Sequence, residues 1–251
     1  MSEEIELLKK RFRELYDKAD RGGYFTFTDF LGLAEQSALS EAMSRTYGGI
    51  TAYGGAEGAE RVMVRFGRAD EIGYEADFPI VCVAVEPISQ KFADKLTHRD
   101  FLGALLNLGI ERSTLGDIVI RNNVGYVFAE EKIAEFITGE LLRVKRTDVM
   151  AKITSELPEG ELYKTERKRI QVQSERIDAV IAKTYSLSRE DAQTLVKRSL
   201  VFVNGRECTN SSYPPKVGDK ISVRGHGRLV YQGFDSTSRK GKLNALVDVY
   251  I

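Results

Sequence analysis

The chain has 251 residues, and its 37 lysines and arginines balance 37 aspartates and glutamates. With 42% hydrophobic and 29% charged residues, it has the composition of a soluble globular protein with two or three modest domains. No apolar run approaches the ~18 residues of a membrane span, and the acidic start Met1-Ser-Glu-Glu-Ile5 lacks a signal-peptide core. We therefore expect a cytoplasmic protein that binds no membrane.

The two cysteines, Cys82 and Cys208, lie far apart in apolar or strand-like segments. Neither belongs to a pattern with the spacing of metal ligands, and disulfides are rare in the cytosol. The sequence therefore predicts two buried free thiols, with no metal ion and no cofactor.

Residues 1–75 are predicted to form a small N-terminal region that begins with two helices. Apolar residues from Ile5 to Ala19 recur at gaps of four and three, which is typical of an amphipathic helix. Thr28 or Asp29 is predicted to cap a second helix over residues 30–44. The glycine-rich residues 47–58 lack the strand and helix that flank a dinucleotide-binding loop, so we interpret them as a turn-rich connector.

Residues 76–155 are predicted to form a ferredoxin-like domain, the α+β fold of many RNA-recognition modules. The predicted order is strand, helix, two strands, helix, strand, with the last strand over residues 141–149. The aromatic signature of base stacking is not evident, and the fold alone does not assign a function. Proline, glycine and acidic residues mark a boundary near residues 155–160.

The sharpest motif in this domain is Thr97-His-Arg-Asp100, which is predicted to begin the first helix. His98 and Arg99 lie in the first turn, where free backbone amides attract phosphate. Arg99 adds a donor that can bind phosphate through two hydrogen bonds. Alternatively, Asp100 only stabilises the helix start and His98 is only solvated. The residues by themselves leave both interpretations open.

Residues 165–251 have the richest pattern, which starts with two short helices. Arg176 to Tyr185 places apolar residues on one helical face. Ser188 is predicted to cap the next helix, with Asp191 three residues later, and Arg189, Lys197 and Arg198 can lie on the open side of that helix.

Short hairpins are predicted to follow the helix pair. The apolar strand over residues 200–203 ends at Asn204-Gly205, a strong signal for a two-residue turn. A second turn at Val217-Gly-Asp219 leads into a strand and then the loop over residues 225–228. Residues 166–251 carry 16 lysines and arginines against 9 acids, whereas the rest of the chain carries 21 against 28. This asymmetry indicates a nucleic-acid-binding end, unless two modules of different charge are merely joined.

These residues carry a family resemblance. The run Arg176-Ile-Asp178, Ser188-Arg189, the Asn204-Gly205 hairpin and Gly218-Asp219 resembles the S-four RNA-binding domain, of the αL type, over roughly residues 170–235. In that family the helix pair and the first hairpin contact structured RNA. The resemblance implies these contact positions: Arg176, Ser188, Arg189, Lys197, Arg198, Asn204 and Gly205.

A second resemblance spans nearly the whole chain. The segment His98-Arg-Asp-Phe-Leu-Gly-Ala-Leu105, the Leu108-Gly-Ile-Glu-Arg112 pattern and the S-four module with Thr237-Ser-Arg-Lys240 are similar to the bacterial YlmH family. This similarity implies a factor that is not an enzyme. Such a factor would bind the large ribosomal subunit and stabilise peptidyl-tRNA during quality control of stalled nascent chains.

An RNA-modifying enzyme is the alternative, since S-four domains often accompany catalytic domains. Pseudouridine synthases of this kind carry Gly-Arg-Leu-Asp, whereas this chain has Gly227-Arg-Leu-Val230. No glycine-rich loop typical of a methyltransferase is found, and no tyrosyl-tRNA synthetase domain fits the element order. A third hypothesis is an interaction protein whose S-four module contacts protein, or contacts RNA only weakly. We expect no catalytic residue and no small-molecule substrate.

We therefore predict a monomer that binds rRNA and tRNA by shape. The helix pair grips one RNA backbone, and the loop and a basic C-terminal tail extend the surface. His98 and Arg99 would face a second RNA element, or protein. The loop and tail residues predicted to contact RNA are Arg224, His226, Arg228, Arg239, Lys240 and Lys242.

Overall fold

The computed structural model describes residues 2–44, 46, 48–157, 163–237 and 243–250. The chain forms two compact units, Met1–Leu162 and Tyr163–Ile251. Both combine helices with antiparallel sheets, so the predicted α+β class is confirmed. The predicted regions 1–75 and 76–155 both lie within the first unit. Among the described residues, no helix has the length and apolar character that crossing a bilayer requires.

The first part of unit 1 is a three-stranded sheet covered by helices. Phe12 and Ala19 of the first helix pack with Leu39 of the second and Phe66 of the sheet. The strand order is β1-β3-β2, and all pairs are antiparallel. The elements are α1 (Ser2–Gly22), β1 (Thr26–Phe27), α2 (Leu33–Ala42), β2 (Ile50–Tyr53), β3 (Met63–Phe66) and α3 (Ala69–Ile72).

Two predictions for this part were wrong. Helix α2 is capped at Gly32, whose amide donates to the Glu35 carboxylate at 2.5 Å. Thr28 does not cap it, because its hydroxyl accepts the Val64 amide at 2.9 Å and so belongs to the sheet. The glycine-rich connector contains β2, which pairs with β3 and therefore gains regular structure from a distant partner.

The second part of unit 1 has the predicted ferredoxin-like topology. Its strand order is β5-β6-β4-β8-β7, with α4 and α5 packed on one face over a core that includes Val83, Phe101, Leu105, Val127 and Ile137. The elements are β4 (Ile80–Pro87), α4 (His98–Asn107), β5 (Leu115–Arg121), β6 (Val124–Glu130), α5 (Glu131–Glu140), β7 (Arg143–Val144) and β8 (Thr147–Thr154).

The last predicted strand of this domain, residues 141–149, is a hairpin instead. Strand β7 ends at Val144, Lys145 adopts a left-handed conformation with φ 58°, and β8 begins at Thr147. The central strand β4 pairs with β8 as far as Thr154, which extends the fourth strand beyond the predicted segment.

Arg61 joins the two parts of unit 1. Its guanidinium donates to the carbonyls of Leu115 at 2.9 Å, Phe30 at 2.8 Å and Arg112 at 3.1 Å. The Asp117 carboxylate in turn accepts the backbone amide of Arg61 at 3.1 Å. Since these bonds connect residues 31 to 56 positions apart, no local pattern encodes them.

Unit 2 packs α6 and α7 on one face of a six-stranded antiparallel sheet of order β11-β10-β12-β13-β14-β9. Its core includes Ile177, Val180, Ile181, Val196 and Tyr231. The elements are β9 (Thr165–Val172), α6 (Ile177–Thr184), α7 (Arg189–Lys197), β10 (Val201–Val203), β11 (Arg206–Glu207), β12 (Lys220–Val223), β13 (Gly227–Thr237) and β14 (Leu243–Tyr250).

The sequence predicted the helices and short hairpins of unit 2 but missed half of its sheet. Asn204 and Gly205 form the predicted turn, with φ values of 51° and 77°. The predicted C-terminal tail, however, contains β14, which lies between β13 and β9. Strand β9 pairs with β14 from Thr165↔Tyr250 to Val172↔Leu243, so this ladder joins distant parts of the chain.

Candidate nucleic-acid interface

We define the helix-pair surface as Arg176, Ser188, Arg189, Lys197 and Arg198, the predicted contacts on α6 and α7. Arg176 is the N-cap of α6 and Ser188 the N-cap of α7. The Ser188 hydroxyl accepts the Asp191 amide at 3.0 Å and donates to the Asp191 carboxylate at 2.6 Å. Ser188 therefore holds the helix start, a role that the sequence predicted.

Arg176 and Arg189 meet around Asp178, a residue that the predicted contact set omitted. Its side chain is fully buried, yet its carboxylate accepts two bonds from Arg176, at 3.1 and 2.8 Å, and one from Gln193 at 2.8 Å. The Arg189 Nε lies 3.5 Å from the same carboxylate. The Arg-Ile-Asp spacing at the start of α6 was the signal available in the sequence.

The ionised state of Asp178 follows from these neighbours. Burial by itself would raise the pKa of this carboxyl group. The hydrogen bonds from Arg176 and Gln193 and the charges of Arg189 and Arg176 outweigh burial, so the pKa lies below its ordinary value. Asp178 is therefore an anion at neutral pH.

Lys197 and Arg198 lie at the opposite end of α7 and are exposed. Within the described part of the chain, neither has an acidic partner within ion-pair distance. The helix rises 1.5 Å per residue, so roughly 12 Å separates them from Arg189 along the axis. Two ends of one short helix thus present cations to solvent, at a spacing that can follow a phosphate backbone.

Asn204, the predicted RNA contact on the hairpin, forms side-chain hydrogen bonds within the protein. Its side-chain amide donates to Asp219 at 2.8 Å, and its oxygen accepts the Lys220 amide at 2.9 Å. Asp219 is buried and also accepts the Tyr213 hydroxyl at 2.9 Å. These bonds fix the Asn204-Gly205 turn and leave RNA contact there as a prediction.

The predicted loop residues fall on two faces of the sheet. Leu229 points into the core beneath the helices, so its neighbour Arg228 points to the opposite face. There the Arg228 guanidinium stacks 3.7 Å from the centroid of the Tyr250 ring. The exposed His226 instead lies beside Tyr185 at the end of α6, with ring centroids 5.8 Å apart.

Arg224 is exposed and stacks on the Phe202 ring, with its guanidinium carbon 5.2 Å from the ring centroid. Its neighbour Val223 belongs to the core under the helices, whereas Phe202 is not part of that cluster. The predicted tail contacts Arg239, Lys240 and Lys242 lie outside the described residues.

In unit 1, α4 begins as predicted. The Asp100 carboxylate accepts the Thr97 amide at 2.8 Å and the Thr97 hydroxyl at 2.7 Å, and these bonds lower the pKa of Asp100. Desolvation by the surrounding chain lowers the pKa of His98, and the charge of Arg112 acts in the same direction. His98 is nevertheless exposed at the surface, so RNA contact there stays a prediction.

Arg99 is exposed beside an open groove of about 540 Å³. Leu142 and Lys145 also line the groove, but Lys145 lies 3.6 Å from the Asp100 carboxylate.

On the sheet face opposite α4, the aromatic residue Phe128 is buried, and Gly116 separates it from Phe30. Phe128 is therefore unavailable for base stacking.

The two thiols are free and buried, as predicted. Burial raises the pKa of Cys82 to about 12 and also raises the pKa of Cys208. Across the described residues, no group of three histidine, cysteine or acidic side chains is placed to hold a metal ion.

Comparisons with known proteins found matching family models and a similar solved structure. A family model described as "Putative RNA-binding domain in YlmH" matches residues 74–156, and the model of the S4 domain, which is the S-four domain, matches residues 175–221. A solved structure, the cell division protein ylmH from Streptococcus pneumoniae, is 21% identical. It aligns with a TM-score of 0.47 over 60% of this chain and 91% of that chain.

A curated relative covers most of the chain. The ribosome-associated protein quality control protein P2 of Bacillus subtilis (strain 168) is 31% identical over 219 residues. The match includes 86% of this chain and 83% of the relative. At this identity and coverage, with an S-four domain at the predicted position, the chain belongs to the YlmH family and has an RNA-binding role.

Proposed function

We propose that the protein is a non-catalytic factor that binds rRNA and tRNA on the large ribosomal subunit. There it stabilises peptidyl-tRNA while stalled nascent chains are rescued. The name of the B. subtilis relative assigns that protein to ribosome-associated quality control, and the two matched domains supply the RNA-binding role. The protein acts as a cytoplasmic monomer.

The observation that carries the proposal is the helix-pair surface. Lys197 and Arg198 are exposed at one end of α7, and Arg176 and Arg189 are partly exposed at the other. Lys197 and Arg198 face no described carboxylate, and Arg176 and Arg189 share the single carboxylate of Asp178, so the surface keeps a positive charge. Such a surface displaces counterions from an RNA backbone, and this release supplies affinity. Contacts with phosphate carry no base information, so a folded RNA is recognised by its shape.

Crosslinking and sequencing of RNA bound to the intact protein in cells tests the proposal. We expect reads concentrated on large-subunit rRNA and on tRNA. Reads at one site in free RNA, with a modified base at that site, would support an RNA-modifying enzyme instead.

Salt dependence separates RNA binding from protein binding. We expect ribosome association, measured by cosedimentation, to fall steeply as KCl rises, since each phosphate contact adds to the slope. Association that persists in high salt would indicate that the S-four module contacts ribosomal protein.

A further inference from the structure

Asp178 is a charged residue in an environment that normally excludes charge. Its side chain is fully buried between α6 and α7, where an unpaired carboxylate would be costly. Three side chains converge on it: Arg176 from the N-cap of α6, and Arg189 and Gln193 from α7. Because all three donors bind the same buried carboxylate, the carboxylate restrains their positions as well.

The two arginines keep part of their surface in solvent. Arg176 uses Nε and Nη2 on the carboxylate, and its side chain remains 34% exposed. Arg189 approaches through Nε and is 44% exposed. Each guanidinium has five N–H donors, so both retain donors that Asp178 does not use. Two positive charges against one negative charge leave the group cationic.

We propose that Asp178 is a positioning residue that holds Arg176 and Arg189 side by side as a preformed pair for one stretch of RNA phosphate backbone. The proposal rests on the proposed function, since it assumes that the helix pair contacts RNA. Long arginine side chains lose rotamer freedom when they bind, and a partner that orders them in advance removes that cost. The planar guanidinium suits phosphate oxygens because it donates two parallel hydrogen bonds.

Asp178→Asn separates a charge effect from a positioning effect, because the two predict opposite changes in RNA affinity. The change keeps the shape of the side chain and removes one negative charge, so a pure charge effect would tighten RNA binding. Loss of positioning weakens binding instead, by about tenfold, and the salt slope falls by about 1 for each phosphate that the arginines no longer reach. The measurement is fluorescence anisotropy of labelled full-length protein titrated with purified large ribosomal subunits at several KCl concentrations.

Asp248→Asn is the matched control. Asp248 also accepts two bonds from one arginine, Arg167, at 2.7 and 2.9 Å, and one from a glutamine, Gln232, at 2.8 Å. It projects from the sheet face opposite the helices, because its neighbours Val247 and Val249 belong to the core. We expect wild-type affinity or slightly tighter binding. An equal loss in both variants would overturn the positioning role, since it would reflect a general effect of losing a carboxylate.

Arg176→Lys covers the case in which Asp178→Asn does not fold. Lysine keeps the charge but loses the planar fork, so the proposal expects binding to weaken about as much as in Arg176→Ala. Wild-type affinity in the lysine variant would overturn it. Failure of the proposed function has a different signature: wild-type protein that does not bind the subunits, or Arg189→Ala with Arg198→Ala that binds unchanged.

Discussion

The lysines and arginines around α7 and those around α4 differ in how many of them have a carboxylate partner within the protein. Lys197 and Arg198 have no acidic neighbour within ion-pair distance in the described chain, and Arg176 and Arg189 share the one carboxylate of Asp178. Around α4 and its sheet, by contrast, many cations face a carboxylate, although Arg99 and Lys95 are exposed without such a partner among the described residues. The ion pairs of this region include Lys145–Asp100, Arg143–Asp148, Arg146–Asp94 and Lys152–Glu86.

Two half-buried arginines of unit 1, Arg112 and Arg61, also form hydrogen bonds within the protein. Arg112 donates to the carbonyls of Leu115 and Gly116, and burial with the nearby charge of Arg61 lowers its pKa to about 10. Arg61 is likewise committed to backbone carbonyls. Both units contain many basic residues, but unit 1 uses much of its own set to hold its structure together. The two units therefore differ more in how many cations are left without a carboxylate or carbonyl partner than in how many cations they contain.

The largest expected effects are losses of stability in core variants. Measuring RNA affinity in a core variant of each unit shows which unit RNA binding depends on. Ile181→Ala removes a fully buried side chain beneath the helix pair, so it should lower the free energy of unfolding by about 2–5 kcal/mol. RNA binding should fall as α6 loses its packing. Urea denaturation followed by circular dichroism, with anisotropy in parallel, measures both.

Phe101→Ala is the counterpart in unit 1, where the ring is fully buried against Gly125. We expect a loss of about 3–5 kcal/mol in the free energy of unfolding, with a smaller loss of RNA affinity than Ile181→Ala causes, in conditions where the protein remains folded. A larger loss of affinity than in Ile181→Ala would assign the main RNA contact to unit 1.

The second effect concerns affinity. Arg189→Ala with Arg198→Ala removes two charged side chains from the helix-pair surface, and should weaken RNA binding by about 3 kcal/mol, roughly a hundredfold. Filter binding with purified large subunits measures the loss. Circular dichroism checks that the fold is intact.

Arg143→Ala with Arg146→Ala removes the same number of cations from unit 1. Both residues are exposed, and each faces an aspartate, so we expect a much smaller loss of affinity. Equal losses from the two pairs would mean that net charge alone governs binding, and the contrast between the units would disappear.

A smaller effect should appear in the pH dependence of the unfolding free energy of unit 1. The pKa of His98 is lowered in the folded state, whereas a histidine in the unfolded chain has a pKa of about 6.5. Below that pH the unfolded chain binds more protons than the folded one, so stability falls as the pH drops. The check is the slope of the unfolding free energy against pH, which His98→Gln should reduce. An unchanged slope would exclude His98 as its source.

The smallest effect is a rate of thiol labelling, which reports opening of each unit separately. Cys82 lies in unit 1 and Cys208 in unit 2, and both are buried with raised pKa values. We expect little alkylation by iodoacetamide in native protein and full alkylation in urea. Mass spectrometry resolves the two sites. Ile181→Ala should speed labelling of Cys208 first, and faster labelling of Cys82 would contradict two independent units.

The sequence predicted the local features of the candidate site well. Thr97 and Ser188 cap helices as expected, because capping depends on residues within one turn. It could not predict Asp178 as the residue that joins two arginines, because Arg189 and Gln193 reach it only after α7 packs on α6. It also could not assign Arg228 to the far side of the sheet, since that depends on strand register.

The sequence by itself determined the α+β class, the ferredoxin-like order, the S-four helix pair and the Asn204-Gly205 turn. These features depend on hydrophobic period, caps and turn residues, which act over a few positions. The tertiary structure alone decided the pairing of β9 with β14, the hydrogen bonds of Arg61 to distant carbonyls and the convergence on Asp178. The physical reason is that such contacts join segments distant in sequence, and which segments meet is set by packing of the whole core.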